Sequence, residues 1–168
     1  NHKYETGMMS MEILLKRYDF MHRELLGIST QLRSYARKHY KKDYYLLKSV
    51  PGIGGIVAVA LLAEVGDLRK FGRLDDLASY IGLVPGIYQS GDNTIVKGMT
   101  PRAKYLLRSY LVEASWQAVR FDPVLQQYYR SHFGKKPNKI IVKVAHKLLS
   151  RIHAVIKTNT EYQIGLVK

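Results

Sequence analysis

The sequence predicts a mainly α fold in which a long N-terminal coiled-coil helix precedes a compact helical domain. Apolar residues recur at alternating three- and four-residue intervals between Met11 and Tyr35, which is the spacing of a helix that packs along another helix. Glycine and proline then divide the rest of the chain into shorter segments. A length of 168 residues, 46% of them hydrophobic, suffices for one compact core and an elongated appendage.

The long helix is predicted as one element over residues 8–47. Residues 1–47 form a predicted dimerisation domain, and residues 48–168 form a second domain. Gly27 weakens the helix by about 1 kcal/mol relative to alanine but leaves the register unchanged. The repeat outlasts what a small core needs and therefore favours a coiled coil; a core helix that packs on its own domain is the alternative. The seam consists of Met11, Leu14, Tyr18, Met21, Leu25, Ile28, Leu32 and Tyr35.

Turn and cap residues delimit the elements of the second domain. Pro51 and Gly52 end the long helix. The apolar run over residues 56–65 fits a buried strand or a buried helix, and its alanines favour the helix. Thr100 and Pro101 have the residue types of a helix start. The further predictions are a short helix over 73–80, a loop or short hairpin over 86–99, and helices over 100–120, 122–133 and 138–158, the last capped by Asn138.

The charge indicates a polyanionic partner. The formal net charge is +14, and residues 90–168 alone carry 14 Lys and Arg against 4 Asp and Glu. Phosphate backbones are the commonest partners of such surfaces. An acidic membrane surface also fits, but no segment is long enough to span a membrane. The absence of cysteine excludes disulfides and thiolate zinc sites and is compatible with a reducing cytosol.

A glycine-rich turn resembles a helix-hairpin-helix motif, which binds DNA through its backbone. The motif spans residues 47–54, and an apolar helix follows it. Gly52, Ile53 and Gly54 would bring the backbone close to a phosphate, which the N–H groups of the next helix would bind. Such contacts position DNA without reading its sequence. The alternative is an ordinary tight turn between two helices.

A serine in a second glycine-rich loop is the candidate nucleophile. Ser90 precedes Gly91, and cations converge on the same region of the chain, as phosphoryl transfer requires. Serine still needs a base or a metal for activation, and no acid cluster with two-metal spacing is evident. The alternative is that Ser90 is merely a turn residue. The candidate cations are Lys97, Arg102, Lys104 and Arg108.

The last predicted helix carries a basic stripe. Lys139, Lys143, Lys147 and Arg151 follow one another at four-residue spacing, and apolar residues fill the opposite face. Such a stripe is compatible with a solvated surface. The charge of this half of the chain also favours contact with a nucleic-acid backbone.

An ordered series of motifs runs over residues 46–162. It consists of Val50–Gly54, Leu62–Asp67 with Phe71, Leu77–Pro85, Gln89–Gly91, Gly98, Thr100, Arg102, Leu107–Arg108 and Val144–Leu149. This series resembles the C-terminal serine transposase domain of the insertion-sequence-110 family, which includes the Piv-type DNA invertases and the bridge-RNA-guided recombinases. One departure is that Pro-Arg-Ala-Lys over residues 101–104 replaces the usual Lys-Arg-Gly-Asn.

The resemblance implies that Ser90 attacks DNA and forms a covalent phosphoserine intermediate. It also implies an upstream RuvC-like domain whose four acids bind Mg²⁺, so that this chain holds no cofactor and is inactive alone. The implied partners are DNA, a guide (bridge) RNA and a second copy bound through the coiled coil, with a tetramer in the active complex and no membrane. The implied location is the prokaryotic cytoplasm, at the nucleoid.

Two other functions remain open at the level of sequence. In one, the chain is a non-catalytic, structure-specific module that binds DNA or RNA through the helix-hairpin-helix. In the other, the chain is a structural piece whose main role is dimerisation through the coiled coil.

Overall fold

The structure, a computed structural model, describes residues 2–90, 93–99, 104–134 and 136–165, and the side chains of these except residues 2–3, 85–90 and 93–99. It is mainly α, as the sequence predicts. In chain order the elements are α1 (His2–His39), α2 (Lys41–Ser49), α3 (Gly55–Val65), a short 3₁₀ helix (Leu68–Lys70), α4 (Leu74–Ile81), β1 (Pro85–Ser90), β2 (Asn93–Met99), α5 (Tyr105–Phe121), α6 (Pro123–Arg130) and α7 (Pro137–Thr158).

The prediction of one continuous helix over residues 8–47 is wrong at Tyr40. Its backbone, at φ −130° and ψ 34°, leaves helical geometry and separates α1 from α2. No glycine or proline causes this break. Instead, Tyr44 and Leu47 of α2 are buried in the core, whereas nearly all of α1 is exposed. We attribute the break to the packing of α2 in the core, which outweighs the local helix preference.

Most of α1 contacts no other described element. Its seam residues, from Met11 to Tyr35, are 45% to 66% exposed. Near its C-terminal end, Ala36 is 3% exposed and joins the hydrophobic core. A coiled-coil partner for the seam therefore remains a prediction, as does the division of the chain at residue 47.

The core lies between α2, α3, α4, α5, α6 and α7. Leucines from separate helices meet there without exposure to solvent, and α7 presents one apolar face along its whole length. This face places the lysines of α7 on the opposite, solvent-exposed side. The fully buried leucines include Leu47, Leu61, Leu77, Leu107, Leu111, Leu125, Leu148 and Leu149.

The predicted helices over residues 56–65 and 73–80 are confirmed as α3 and α4. Gly82 ends α4 in the left-handed conformation, at φ 82°. The expected helix start at residues 100–101 lies outside the described residues, and α5 is described from Tyr105. The expected cap at Asn138 is wrong: Lys136 is the N-cap, because Pro137 has the φ angle of a first helical residue and places Asn138 inside the helix.

Between α4 and α5 the chain forms an antiparallel hairpin, which confirms the hairpin alternative for residues 86–99. Ile87 pairs with Val96, and Ser90 pairs with Asn93 at the closed end. The pairing is irregular between Pro85 and Gly86. Ser90 is therefore the last residue of β1, beside the connection between the strands.

Candidate nucleic-acid interface and candidate nucleophile

The hairpin fixes the backbone position of the candidate nucleophile. Ser90 and Asn93 flank the connection between β1 and β2. Lys97 pairs with Gly86 at the other end of the hairpin, four residues along β2 from Asn93. At about 3.3 Å per residue, that is a separation of roughly 13 Å along the strand. Gly91 and Arg102, two further predicted site residues, lie outside the described residues.

The other two predicted cations near Ser90 lie at the start of α5. Lys104 Nζ donates a hydrogen bond to Glu64 Oε2 at 2.7 Å, and this bond raises the pKa of Lys104 above its ordinary value. The Arg108 guanidinium lies 5.5 Å from the ring centroid of Tyr105. The structure thus brings Lys104 and Arg108 to the helix that follows the hairpin, where Lys104 has a carboxylate partner.

A small cluster holds this end of α5 against the preceding helices. Tyr80 donates its hydroxyl to the Glu64 carbonyl at 3.0 Å, while the Lys70 and Lys104 ammonium groups lie 5.6 and 5.9 Å from the Tyr80 ring. The contacts join α3 and α4 to Lys104, the residue before α5. Sequence reasoning missed Glu64 and Tyr80 as partners of Lys104, because they are 40 and 24 positions away from it.

The glycine-rich turn between α2 and α3 has an inward side and an outward side. Gly52 has φ +86°, and a Cβ atom there would lie 2.3 Å from the Ala114 carbonyl oxygen of α5. Ile53 is buried, with 4% exposure. Gly54 is exposed, and a Cβ atom there would meet nothing within 4 Å. Gly52 therefore permits a close approach of the turn to the backbone of α5, not to a phosphate. Of the predicted phosphate-binding residues 52–54, only Gly54 faces outward.

Three of the four predicted basic residues of α7 form an exposed face. Lys139, Lys143 and Lys147 all have exposed side chains. Lys147 Nζ lies 4.4 Å from the centroid of the Tyr128 ring on α6. This cation–π contact holds one ammonium group at the junction of α6 and α7 while leaving it accessible to solvent.

The side chain of Arg151, the fourth member of the stripe, is largely buried and makes contacts within the protein. Its side chain is 12% exposed, and its Nε atom lies 3.4 Å from the Asp122 carboxylate and donates to the Tyr162 hydroxyl at 2.9 Å. The fully buried Asp122 also accepts hydrogen bonds from the backbone N–H groups of Val124 and Leu125, which caps α6. Arg151 therefore joins α6, α7 and the C-terminal segment, and only the three lysines form the exposed basic face.

An ion pair between Arg69 and Asp43 fixes α2. The Arg69 guanidinium makes two hydrogen bonds to the Asp43 carboxylate, at 2.7 and 2.9 Å, and one to the Asn159 side chain at 2.7 Å. The hydrogen bonding from Arg69 lowers the pKa of Asp43 below its ordinary value. This pair attaches the start of α2 to the 3₁₀ helix and to the end of α7, and sequence spacing gives no sign of it.

Two kinds of feature are absent from the part of the chain that the structure describes. Nowhere in this part of the chain do three His, Asp or Glu side chains gather in a way that would hold a metal ion. Likewise, none of the described helices is both long and apolar enough to cross a lipid bilayer.

Comparison with known proteins identifies a family. Residues 44–130, just over half of the chain, match the family described as "Transposase IS116/IS110/IS902 family". This match includes the turn between α2 and α3, the hairpin with Ser90, and α5.

Three curated proteins show how far the similarity extends. The transposase for insertion sequence element IS1111A of Coxiella burnetii is 33% identical over 79 residues, which are 47% of this chain and 22% of that protein. An uncharacterized 43.6 kDa protein of insertion element IS110 from Streptomyces coelicolor is 25% identical over 94% of this chain and 40% of its own length. The pilin gene-inverting protein of Moraxella bovis is 31% identical over 70% of this chain and 38% of its own length. The chain thus spans less than half of each of these relatives.

Proposed function

The chain belongs to the transposase IS116/IS110/IS902 family, and we propose that it is the DNA-breaking and rejoining part of a transposase or site-specific recombinase. The observation that carries this proposal is the family match over residues 44–130, which contains the candidate nucleophile and the elements around it. Relatives are described as transposases and as a pilin gene-inverting protein. Transposition and inversion both require DNA strands to be cut and rejoined.

Ser90 is the proposed nucleophile. Its oxygen attacks a DNA phosphorus atom, and a deoxyribose oxygen leaves, so that the phosphoryl group becomes bound to the serine. Arg102 and Arg108 are the proposed partners of the negative charge on the phosphoryl oxygens. The position of Ser90 at the closed end of a two-stranded hairpin supports this role. A DNA duplex can reach a residue at such an end more readily than it can reach a residue on a strand inside a sheet.

The groups that activate Ser90 are proposed to lie in another domain. In this proposal an upstream RuvC-like domain supplies acids and Mg²⁺, and the chain described here is inactive without it. A guide RNA selects the DNA. The limited share of the relatives that this chain spans leaves room for such a domain. The proposed location is the prokaryotic cytoplasm, where the nucleoid offers the substrate.

The long helix α1 is the proposed dimerisation element. Its exposed seam, from Met11 to Tyr35, carries apolar side chains at coiled-coil spacing. A second copy, and a tetramer in the active complex, would bury this seam. Mass measurement of the chain at several concentrations tests this, because a strict monomer at every concentration contradicts it.

Substitution of Ser90 tests the catalytic proposal. In the full-length protein, Ser90→Ala should abolish recombination while DNA binding persists. Ser79→Ala, which removes an exposed hydroxyl on α4, is the matched control and should retain recombination. Recombination by Ser90→Ala at the wild-type rate would refute the nucleophile and favour the second candidate, a non-catalytic nucleic-acid-binding module built on the turn between α2 and α3.

A further inference from the structure

Four aromatic side chains occupy neighbouring positions on α6 and on the turn that follows it. They are Tyr128, Tyr129, His132 and Phe133. The backbone continues in helical hydrogen bonds through this turn, in which the Phe133 N–H donates to the Arg130 carbonyl at 3.0 Å. Because residues four positions apart lie on one side of a helix, the four rings form two rows on adjacent faces of this segment.

The first row leads from the hydrophobic core to solvent. The ring centroids of Trp116 and Tyr129 lie 5.9 Å apart, and those of Tyr129 and Phe133 are also 5.9 Å apart, both as edge contacts. Trp116 and Tyr129 are half-buried and pack against the core. Phe133, at the outer end of the row, is 71% exposed. The row therefore supports the Phe133 ring from one side and leaves most of it uncovered.

The second row is joined by a cation. The Tyr128 and His132 rings lie 4.5 Å apart, and Lys147 Nζ of α7 lies 4.4 Å from the Tyr128 ring centroid. The His132 Nδ1 atom lies 2.9 Å from the Tyr128 carbonyl oxygen. A carbonyl oxygen only accepts hydrogen bonds, so Nδ1 is the donor and the bond holds the imidazole beside the tyrosine.

The charge of this part of the chain has a single sign. Residues 123–160 contain eight Lys and Arg and no Asp or Glu. Of these cations, Arg130, Lys136, Lys139 and Lys143 have exposed side chains. Aromatic rings combined with cations are typical of surfaces that bind single-stranded nucleic acids, where bases stack on the rings and cations contact the phosphates. In a duplex the base faces are already stacked on one another, so only unpaired bases can contact a side-chain ring face to face.

We propose that Phe133 and His132, supported by Tyr129 and Tyr128, form a stacking platform for the unpaired bases of single-stranded DNA. The inference rests on the proposed function, since cutting and rejoining of DNA exposes unpaired deoxynucleotides. It goes beyond the basic face of α7, which would contact a phosphate backbone whether or not the bases are paired. Both outer rings also lie outside residues 44–130, the part of the chain that matches the family.

Replacement of the most exposed ring tests the platform. Binding of labelled oligodeoxyuridine to the full chain is followed by fluorescence anisotropy. Phe133→Leu keeps an apolar side chain but removes the stacking surface, so the affinity should fall about 5- to 150-fold. The slope of log K against log salt should not change, because no charge is removed. The melting temperature and duplex binding should not change either, because Phe133 is 71% exposed and a duplex offers no unpaired bases.

Phe121→Leu is the matched control. Phe121 is 65% exposed and flanks the other end of α6, and it makes no ring contact with another described residue. This variant should bind oligodeoxyuridine like the wild type. Lys143→Gln should give the opposite pattern to Phe133→Leu: a salt slope reduced by about 0.7 and weaker binding of an abasic strand of equal length as well. Equal affinities of Phe133→Leu and Phe121→Leu, or an abasic strand bound as tightly as oligodeoxyuridine by the wild type, would overturn the platform.

A fluorescent reporter tests the stacking itself. Trp116 is the chain's only tryptophan, so Trp116→Phe combined with Phe133→Trp moves the emission to the platform. Oligodeoxyuridine should quench this emission, whereas an abasic strand should not. Equal quenching by both strands would refute stacking, and tighter binding of oligouridine than of oligodeoxyuridine would refute DNA as the occupant.

The failure of the platform is distinguishable from the failure of the proposed function. A covalent DNA adduct at Ser90 together with wild-type binding by Phe133→Leu would refute the platform and leave the proposed function intact. Loss of single-strand binding in Phe133→Leu without any Ser90 adduct in the wild type would support the platform and refute the nucleophile.

Discussion

Substitution of Gly52 by alanine tests whether this glycine is required for packing. Two costs add up at this position. An L-residue in the left-handed region, here at φ +86°, costs about 1–2 kcal/mol. The new Cβ atom would also lie 2.3 Å from the Ala114 carbonyl oxygen and 2.9 Å from the Ala118 backbone nitrogen. Both atoms belong to the backbone of α5, which cannot move aside as a flexible side chain would.

The expected loss of stability follows from these two costs. Overpacking of a tight contact costs about 1–3 kcal/mol, so the free energy of unfolding should fall by about 2–5 kcal/mol in total. For a domain with a total stability of about 5–15 kcal/mol, this is a large fraction. At about 2–4 °C per kcal/mol for a chain of this size, the melting temperature should fall by roughly 4–20 °C.

The assay is thermal and urea unfolding followed by circular dichroism, with Gly54→Ala as the matched control. Gly54 has φ −77°, and its Cβ atom would meet nothing within 4 Å, so this variant should lose no more than about 1 kcal/mol. Equal stability of the two variants would refute the packing role of Gly52. It would then make a phosphate contact the better explanation of that glycine.

Three further predictions concern the ion pairs and the basic face. Asp122→Ala should lower the free energy of unfolding by about 3–5 kcal/mol, because it leaves the Arg151 guanidinium without its buried partner. Asp122→Asn keeps the α6 cap and should lose less, so equal losses would contradict a contribution of the cap, and wild-type stability of Asp122→Asn would contradict the ion-pair role. Because the pKa of Asp43 is lowered, the ionised carboxylate stabilises the fold fully above pH 3.8, which is the ordinary pKa of this side chain. The stabilisation is lost as the pH falls through the lowered pKa. Asp43→Asn should therefore flatten the acid limb of the plot of unfolding free energy against pH. A plot parallel to that of the wild type would contradict the stabilising role of the Asp43 carboxylate. Replacement of Lys139, Lys143 and Lys147 together by glutamine should reduce the salt slope of DNA binding by about 2.7; an unchanged slope would exclude these lysines from the interface.

The sequence predicts those elements whose signals are local. The apolar run of α3 and the glycine cap of α4 depend on neighbouring residues, and both helices are found where expected. For residues 86–99 the sequence leaves a loop and a short hairpin open, because the glycines of this segment are compatible with both. The predicted cap at Asn138 is wrong because this good capping residue follows a proline that already occupies the first helical position.

Features that depend on distant partners were not predictable. The break at Tyr40 has no local signal and reflects the burial of Tyr44 and Leu47. Arg151 shares the spacing of the exposed lysines, and only its contact with Asp122, 29 positions earlier, removes it from the surface. Gly52 faces inward because α5, more than 50 residues later, packs against it.

The central claim is that Ser90 forms a covalent bond to DNA. The most direct test incubates the full-length protein with the proposed guide RNA, Mg²⁺ and a nicked suicide DNA substrate, followed by a denaturing gel and peptide mass spectrometry. The account predicts a DNA–protein adduct whose phosphoryl group maps to Ser90. Strand cleavage without any adduct, or an adduct on another residue, would contradict it.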